Sequence, residues 1–564
     1  MNRLNGAEAF VRMLRLYGVE VIFGLCGDTS LPLYDALARL DHGITHVLTR
    51  DERSAAYMAD AYAKITGKVG VCEGPSGGGA TYILPGVVEA NESSIPVLAI
   101  TSDISVSSRG RFTLTELDQK ALFAPLTKWN EVVDRAEDIP RTLRDAFSAM
   151  TSGTPGAAHI GLPFDVQNEP VDEDEIWADE GFGRYPTTRI APDPEHIERA
   201  AEIIGDAKAP LFICGGGVLI AGAEDELREL AERIAAPVAT TISGQGSITE
   251  VHELAVGVVG SNGGVPESRE VVDAADLIIF IGCRAGSVTT ERWRHPEPGA
   301  TQVIHIDTDP SVMGATYQTD CAIIGDAKLT LSALDACLAP KFEMPPARAL
   351  NAAFIAAQKK AKFDAFHNLA ESDVTPILPE RIVADLQAVL PDDAIVIADP
   401  GTPCPYFSAF YEFKRSGRYF LSNRAHGALG YALPAAVGAH YGRPDAKIVA
   451  IMGDGAFGFC VGELETVVRL NIPATFVVVS NAVFGWIKAG QKTGYDARYY
   501  SVDFSRTDHA KVAEAYGVTS CRVEAPSDLK SALAEAVAHD GASLVDVIAQ
   551  PLQDARAPVS EWVA

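Results

Sequence analysis

Short apolar runs alternate with longer amphipathic segments along the whole chain. The runs are rich in Val, Ile and Phe and have the length of strands, whereas the segments between them have helical periodicity. Strands that alternate with helices predict repeated βαβ units and mainly parallel sheets. The runs are VEVIFGL, ITHVLT, VGVCE, PVLAIT, PLFICG, LIIFIG, VIHID, AIVIAD, IVAIMG and ATFVVVS.

Two stretches interrupt this alternation. Residues 165–194 are rich in proline and acidic residues and lack periodicity, which predicts a linker. Residues 338–346 form a second break, followed by a helical stretch rich in Ala and Lys before Ile377. The fold class predicted is α/β with three doubly wound domains, the first and third being variants of one fold. Their expected bounds are 1–170, 190–340 and 365–550, with a C-terminal tail at 551–564.

Composition narrows the functional class. The chain has 564 residues and a formal net charge of −28, which argues against nucleic acid as a partner because phosphate binding needs a basic face. Its start lacks the order of a signal peptide and no run is apolar enough to cross a membrane, so we expect a cytoplasmic protein. The nine cysteines are scattered singly and are expected to be reduced. To bind an anionic ligand, such an acidic chain would need a local source of positive charge, such as a helix N-terminus or a metal ion.

The turn Gly453-Asp454-Gly455 is the strongest local signal. It follows the apolar run IVAIM and leads into a helix that we expect to carry Leu464, Val467 and Val468. Asn481 follows the next strand, so one strand–helix–strand unit would return it to the side of Asp454. Glycines allow close approach to phosphate, and the two side-chain oxygens suit magnesium. The alternative for such a turn is a plain surface turn.

At these residues the chain resembles the thiamine-diphosphate-dependent enzymes, whose signature opens with GDG and closes with a pair of asparagines. Here the pair is Ser480-Asn481. The resemblance implies that Asp454, Asn481 and the main-chain carbonyl of Val483 bind Mg²⁺. It further implies cofactor contacts from Gly401, Thr402, Gly427, Leu429, Gly453, Gly455, Ala456 and Gly485. Leu429 would lie under the thiazolium ring, although plain core packing is an alternative and the two are compatible.

Glu52 lies between a strand that ends near Thr49 and a helix that begins near Ser54. An acid at this place either complements the helix dipole or, when buried, keeps a proton because burial raises its pKa. The resemblance implies the second role, since the family activates its cofactor with a glutamate that hydrogen-bonds the aminopyrimidine ring. In that family the cofactor is held by another subunit, so we expect a homodimer or homotetramer.

The resemblance covers nearly the whole chain and extends to acetolactate synthase, benzaldehyde lyase and pyruvate decarboxylase. It is carried by IGLPFDV, PLFICGGGV, VIHIDTDP, RYFLSNRAHGALGYALPAAVG and DQKALFAPLTKW. Two departures stand out. Thr115 and Glu116 occupy the loop where acetolactate synthases carry a glutamine, and their Gly-Pro-Gly turn is Gly74-Pro75-Ser76 here, preceded by Glu73.

Two further residues are candidates for catalysis. Asp28 matches the catalytic aspartate of pyruvate decarboxylase, and a helix N-cap is a second, compatible role. His426, beside Leu429, is the only histidine near the cofactor motifs in the sequence and is expected either to transfer protons or to pack. The decarboxylase family places a glutamate shortly after the metal-binding asparagine, whereas this chain has Ile487 and Lys488.

The middle domain holds FAD or ADP in several relatives. Gly215-Gly216-Gly217 after a strand, with Arg284 and Asp307, is compatible with a nucleotide, and a structural glycine turn is equally compatible.

These features favour a non-oxidative carboligase or lyase that acts on 2-keto acids or 2-hydroxy carbonyl compounds. A simple 2-keto acid decarboxylase that releases an aldehyde is the alternative. A regulatory paralogue without cofactor is a third hypothesis, disfavoured by the presence of Glu52, Asp454 and Asn481 together.

Overall fold

The computed structural model describes residues 3–340, 342–345, 348 and 351–556. Three six-stranded sheets organise this part of the chain, and every strand pairing within them is parallel. The predicted α/β class with three parallel sheets is therefore confirmed. The apolar runs named above all form strands, because β-branched residues pack well on a pleated, buried surface.

The first sheet has the order β3-β2-β4-β5-β7-β6, and a separate antiparallel pair joins β1 to β8. The strands are β1 (Arg3–Asn5), β2 (Val21–Gly24), β3 (Thr45–Leu48), β4 (Gly70–Gly74), β5 (Val97–Asp103), β6 (Trp129–Val132), β7 (Ala158–Pro163) and β8 (Pro170–Asp172). The helices are α1 (Gly6–Leu16), α2 (Leu31–Arg39), α3 (Glu52–Thr66), α4 (Gly78–Tyr82), α5 (Leu84–Glu92), α6 (Gln119–Phe123) and α7 (Ile139–Thr151).

The second sheet has the order β11-β10-β9-β12-β13-β14. Its strands are β9 (Pro210–Cys214), β10 (Val238–Thr240), β11 (Ala255–Val258), β12 (Leu277–Ile281), β13 (Gln302–Asp307) and β14 (Cys321–Ile324). The accompanying helices are α8 (Pro194–Asp206), α9 (Gly216–Ala221), α10 (Glu224–Ile234), α11 (Pro266–Asp273) and α12 (Ala327–Leu338).

The third sheet has the order β16-β15-β17-β18-β20-β19. Its strands are β15 (Ile395–Ala398), β16 (Phe420–Leu421), β17 (Ile448–Gly453), β18 (Ala474–Ser480), β19 (Thr519–Val523) and β20 (Ser543–Ile548). The helices of this part of the chain are α13 (Asn351–Ala370), α14 (Pro379–Val389), α15 (Pro403–Phe410), α16 (Ala432–Gly442), α17 (Asp454–Cys460), α18 (Glu463–Arg469), α19 (Gly485–Gly494), α20 (His509–Ala515) and α21 (Pro526–Ala538).

The first and third sheets have the same topology. Numbered within each sheet by position in the chain, both run 2-1-3-4-6-5, whereas the second runs 3-2-1-4-5-6. The latter is the order of dinucleotide-binding folds, and its reversal point lies between β9 and β12. In sheets of this kind ligands bind beyond the carboxyl ends of the strands, so those edges are where functional side chains are expected.

The described chain divides into two compact units. One contains the first sheet together with residues 423–445 and 460–472, and the other contains the second and third sheets. The expected domain bounds stay a prediction. The last part of the expected tail, 557–564, lies outside the described residues, whereas Leu552 is buried in the core beside the third sheet.

Within the first unit, helix α3 packs against α5 and α16 through small residues. A Cβ atom on Gly86 would lie 2.4 Å from the Cβ of Ala56, and one on Gly438 would lie 2.1 Å from the Met58 carbonyl oxygen. Only glycine permits such close approach, so these contacts fix α3 firmly in the unit. Among the described residues, no helix combines the length and the apolar character needed to span a bilayer.

Candidate active site

The carboxyl ends of β17 and β18 meet at one edge of the third sheet. Strand β17 ends at Gly453 and pairs with β18, which ends at Ser480. Asp454 begins α17 and Asn481 follows β18, so the parallel pairing brings the two residues together at this edge. Leu464, Val467 and Val468 lie on a helix as expected, but this helix is α18, which Val461 and Gly462 separate from the α17 helix that follows the GDG turn directly.

The Asp454 carboxylate accepts hydrogen bonds from the main chain just after β17 and just after β18. Its Oδ2 accepts from the amides of Asn481 at 2.8 Å and Ala482 at 2.6 Å, and its Oδ1 accepts from Gly455 at 2.9 Å. Burial raises the pKa of Asp454, and these amide hydrogen bonds oppose the rise. Asn481 presents its Oδ1 in the same turn, where it accepts from Val483 at 3.3 Å.

The turn after β18 is held in an unusual backbone conformation. Ala482 has φ of 57°, a left-handed conformation that costs energy for a residue with a Cβ. Phe504 donates to the Ala482 carbonyl at 3.0 Å, and Phe484 donates to the carbonyl of Val502 at 2.9 Å. The neighbouring segment therefore fixes the main chain on either side of Val483, the third predicted metal ligand.

The predicted diphosphate contacts lie at the same edge. Gly401 has φ of 99° and precedes the buried Thr402, on the loop that follows β15. A Cβ on Gly485 would lie 3.0 Å from the Thr402 hydroxyl, and one on Gly455 would lie 2.7 Å from the Phe484 ring. A Cβ on Gly453 would meet nothing within 4 Å. The glycines thus allow three loops to converge, with Ala456 buried behind them and open space beside Gly453.

A buried polar network supports Ser480, the residue before Asn481. The Ser480 hydroxyl donates to the Asp546 carboxylate and lies 2.9 Å from Nδ1 of His509. The His509 amide donates to the other Asp546 oxygen at 3.1 Å. His426 is the histidine that lies near the cofactor motifs in the sequence, whereas His509 on α20 and Asp546 on β20 belong to no motif and could not be found from the sequence.

Glu52 is the first residue of α3, at the carboxyl edge of the first sheet. Its side chain is buried, although first-turn acids are usually exposed to solvent. Room for the carboxyl comes from two glycines, since a Cβ on Gly79 would lie 3.1 Å from Oε1 and one on Gly74 would lie 3.2 Å from Cγ. Burial raises the pKa of Glu52, its own main-chain hydrogen bond lowers it, and the neighbouring Asp51 raises it. Asp51 caps the N-terminus of α3, so Glu52 is not the capping residue.

A second buried glutamate, Glu73, lies on β4 next to this edge. Its Oε2 accepts from the Tyr34 hydroxyl at 2.7 Å, and that hydroxyl lies 2.9 Å from Nε2 of His46. Burial raises the pKa of Glu73 to about 8, Tyr34 and Ser30 lower it, and the charge of Glu52 raises it further. Burial also lowers the pKa of His46 to about 4. Sequence reasoning noted Glu73 only as a departure from the family pattern.

Asp28 is exposed in the first turn of a short 3₁₀ helix, and Gly27 holds the N-cap position. The expected N-cap role of Asp28 is therefore wrong. The following residue, Thr29, joins a row of hydroxyls: it donates to Ser76 at 2.9 Å and lies 2.8 Å from Ser102, while Ser76 lies 2.8 Å from the Thr115 hydroxyl. Two departures from the acetolactate synthase pattern, Ser76 and Thr115, are thus in direct contact.

The loop at 423–431 carries His426, Gly427 and Leu429 and belongs to the first unit. His426 is exposed and Leu429 is half-buried, so neither side chain is a fully packed core residue of this chain. Gly427 adopts φ of 77°, which glycine accepts without strain.

In the second sheet, Gly215, Gly216 and Gly217 follow β9 at the reversal point of the strand order. A Cβ on Gly217 would lie 2.5 Å from Cα of Gly282, and one on Gly215 would lie 2.1 Å from the Gly282 carbonyl oxygen. Close backbone packing thus accounts for Gly215 and Gly217, whereas a Cβ on Gly216 would lie no closer than 3.5 Å to any atom. Arg284 is exposed, and burial raises the pKa of Asp307. A role for FAD or ADP stays a prediction.

The sequence is similar to those of known proteins along most of its length. The chain matches three thiamine pyrophosphate enzyme families: the N-terminal TPP binding domain over 4–122, the central domain over 197–334 and the C-terminal TPP binding domain over 399–547. It is 36% identical to a probable acetolactate synthase large subunit of Methanococcus aeolicus, covering 97% of this chain and 92% of the relative.

Two further relatives are similar over most of their lengths. A probable acetolactate synthase large subunit of Methanocaldococcus jannaschii is 35% identical, with 98% of this chain and 93% of the relative covered. The acetolactate synthase isozyme 3 large subunit of Escherichia coli is 31% identical, with 95% and 93% covered. The chain therefore belongs to the thiamine-diphosphate-dependent enzymes and is similar in sequence to the acetolactate synthase large subunits.

Proposed function

We propose that this chain is a magnesium-dependent carboligase or lyase that makes or breaks a carbon–carbon bond next to a carbonyl group, without oxidation. Its substrates are 2-keto acids or 2-hydroxy carbonyl compounds. The observation that carries the proposal is the pairing of Asp454 with Asn481 beside the glycine turn at the edge of the third sheet.

The residues at this edge fit a magnesium diphosphate. Asp454, Asn481 and the Val483 carbonyl would supply three oxygen ligands, and hard oxygen ligands with a bridging diphosphate are what Mg²⁺ prefers. No group of three or more His, Cys, Asp or Glu residues suited to a metal occurs in the described part of the chain, so this mixed set of side-chain and main-chain oxygens is the candidate. The diphosphate would contact Gly401, Thr402, Gly453, Gly455, Ala456 and Gly485.

Thiamine diphosphate, when bound, supplies a nucleophilic carbon that adds to a substrate carbonyl. We propose that Glu52 holds a proton at the aminopyrimidine ring of the cofactor. Its burial between Gly74 and Gly79 supports this, because a carboxyl in such a place favours its protonated form. For Asp28 and His426, both exposed, we propose contact with the substrate and its protons.

Two observations favour carboligation over simple decarboxylation. Release of an aldehyde needs a positioned acid, worth roughly 10²–10⁴-fold in rate. Shortly after Asn481 the chain offers Ile487, which is 55% exposed, and Lys488, which pairs with Asp503 at 2.6 Å, where the decarboxylase family has a carboxylate. The loop at 105–119 contains no histidine. The relatives named as acetolactate synthases also support carboligation.

The resemblance also supports a proposed assembly of subunits. A homodimer or homotetramer would bring Glu52 of one subunit to the cofactor held by another. Its cytoplasmic location stays a prediction.

The product distribution tests this proposal. Holoenzyme is given a panel of 2-keto acid donors with an added aldehyde acceptor, and the products are separated by chiral chromatography with mass detection. For a productive donor, we expect hydroxyketone to exceed the free aldehyde formed from that donor. Free aldehyde with negligible hydroxyketone would contradict carboligation and favour the decarboxylase.

A further inference from the structure

A buried cluster of charges joins helices α3 and α5 to the loop at 423–431, all within the first unit. Asp60 and Glu89 are fully buried and share the ammonium group of Lys64, which lies 2.8 Å from Asp60 Oδ2 and 3.9 Å from Glu89 Oε1. The Tyr431 hydroxyl donates to the same Asp60 oxygen at 2.8 Å. Two buried carboxyl groups thus face one ammonium group and one phenol.

Glu89 contacts the main chain of the loop directly. Its Oε2 accepts from the His426 amide at 2.7 Å, and its Oε1 accepts from the Ala425 amide at 3.4 Å and from the Ser93 hydroxyl at 2.8 Å. Hydrogen bonds from main-chain N–H groups to a carboxylate are among the stronger ones in proteins, more so where water is excluded.

The loop is fixed at both ends by this cluster. Glu89 holds Ala425 and His426 at the start, and Asp60 holds Tyr431 at the end. Gly430, between these two ends, has φ of 88°, and the side-chain amide of Asn423, the first residue of the loop, donates to the Ala428 carbonyl. Irregular backbone of this kind needs outside partners for its N–H groups, and the buried carboxylate supplies two.

We propose that Glu89 is the positioning residue of this loop, setting the main chain that carries His426, Gly427 and Leu429 toward the cofactor. The inference rests on the proposed function, which assigns those three residues to the cofactor.

Burying more acidic than basic groups is costly, which argues against a merely structural role. Burial raises the pKa of Glu89, Lys64 lowers it, Asp60 raises it, and the His426 amide and Ser93 lower it. An apolar residue at position 89 would pack without this penalty, but it would leave the two loop amides without an acceptor. A carboxylate at position 89 is therefore explained by its hydrogen bonds to the Ala425 and His426 amides.

Hydrogen–deuterium exchange of the apoenzyme tests the positioning without any cofactor. In Glu89→Gln, one of the two acceptor oxygens becomes an N–H₂ group that cannot accept from a loop amide, so we expect loop amides at 423–431 to exchange at least about tenfold faster than in wild type. Glu89→Asp keeps the charge beside Lys64, but its shorter side chain cannot reach the loop amides, so it should also speed their exchange. It serves as the second variant if Glu89→Gln does not fold. Glu92→Gln, an exposed position on the same helix, should exchange like wild type.

Titration calorimetry with thiamine diphosphate and Mg²⁺ then tests the link to the cofactor. The dissociation constant should rise about tenfold or more in both Glu89 variants and stay unchanged in Glu92→Gln. Unchanged loop exchange would overturn the inference, and so would faster exchange with unchanged affinity. If wild type itself does not bind thiamine diphosphate, the proposed function fails while the exchange data still decide whether Glu89 holds the loop.

Discussion

Two buried glutamates of the first sheet, Glu52 and Glu73, differ in their partners and therefore in their expected behaviour. Glu52 faces the space left by Gly74 and Gly79, whereas Glu73 is held by the Tyr34 hydroxyl. The Glu52 carboxyl packs against these two glycines, and we propose that it contacts the cofactor. The Glu73 carboxyl already accepts a hydrogen bond from a phenol, so it contributes to the stability of the fold and to the charge around Glu52.

At residue scale, the first prediction concerns Glu52→Gln. This variant should still bind thiamine diphosphate, because the proposed diphosphate and magnesium contacts come from other residues. It should slow exchange of the cofactor C2 proton by more than the roughly 10²–10⁴-fold typical of one general acid. Quenched-flow NMR of C2 hydrogen–deuterium exchange measures this, with Glu92→Gln as the control. An unchanged exchange rate would remove Glu52 from the mechanism.

The second prediction concerns Glu73 and pH. Burial raises its pKa from 4.5 to about 8, so between these values the folded chain keeps a proton that the unfolded chain has released. Its contribution to stability is fully present below pH 4.5 and is lost as pH rises through 8. Glu73→Gln stays neutral throughout.

The free energy of unfolding of Glu73→Gln, relative to wild type, should therefore increase across that window by a few kcal/mol, since one pKa unit corresponds to about 1.4 kcal/mol. Urea unfolding of both proteins at several pH values checks the sign. A constant difference between them would show that Glu73 ionises in the folded chain as it does in the unfolded one.

The sequence predicts some of these residues and not others, for a physical reason. Asp454 and Asn481 flank one strand–helix–strand unit, and parallel pairing necessarily returns them to the same edge. Their closeness could therefore be predicted. His509 and Asp546 reach Ser480 from distant segments. Side-chain networks of that kind depend on how distant segments pack, and the spacing of residues in the sequence does not predict them.

At the scale of elements, the long apolar strands were predictable because β-branched runs bury both faces. Strand β16 has only two residues and β10 has three, too few for a pattern. The break between α17 and α18 was missed because the apolar positions continue with helical spacing across it. The middle sheet's strand order depends on how the crossovers pack, which local sequence does not encode.

The turn between β17 and α17 gives the third prediction. Gly455→Ala should lower the free energy of unfolding by about 1–3 kcal/mol, because its Cβ would lie 2.7 Å from the Phe484 ring. Gly453→Ala should leave stability nearly unchanged, since its Cβ meets nothing within 4 Å, yet weaken binding of thiamine diphosphate. Thermal unfolding and titration calorimetry separate the two effects.

Gly458→Ala, on α17 and equally free of close neighbours, is the matched control and should preserve both stability and affinity. If Gly453→Ala binds thiamine diphosphate as wild type does, the space beside Gly453 is not the diphosphate site.

At the scale of the whole molecule, net charge makes a metal ion necessary to the proposal. A chain of formal charge −28 repels a free diphosphate, so affinity must come from local devices. In the proposed site, Asp454, Asn481 and the Val483 carbonyl would bind Mg²⁺, and the ion would neutralise the diphosphate there. A magnesium ion at this turn would supply the positive charge that an acidic chain needs in order to hold a diphosphate.

Titration calorimetry of thiamine diphosphate, with and without Mg²⁺, tests whether a magnesium ion bound at Asp454 holds the cofactor. Wild type and the exposed-site control Asp540→Ala should bind the cofactor tightly only when Mg²⁺ is present. Asp454→Ala should show no magnesium-dependent binding, because it loses a carboxylate ligand and the acceptor of three main-chain amides. If Asp454→Ala and wild type bind the cofactor with equal, magnesium-dependent affinity, Asp454 is not a magnesium ligand and the GDG segment is only a turn.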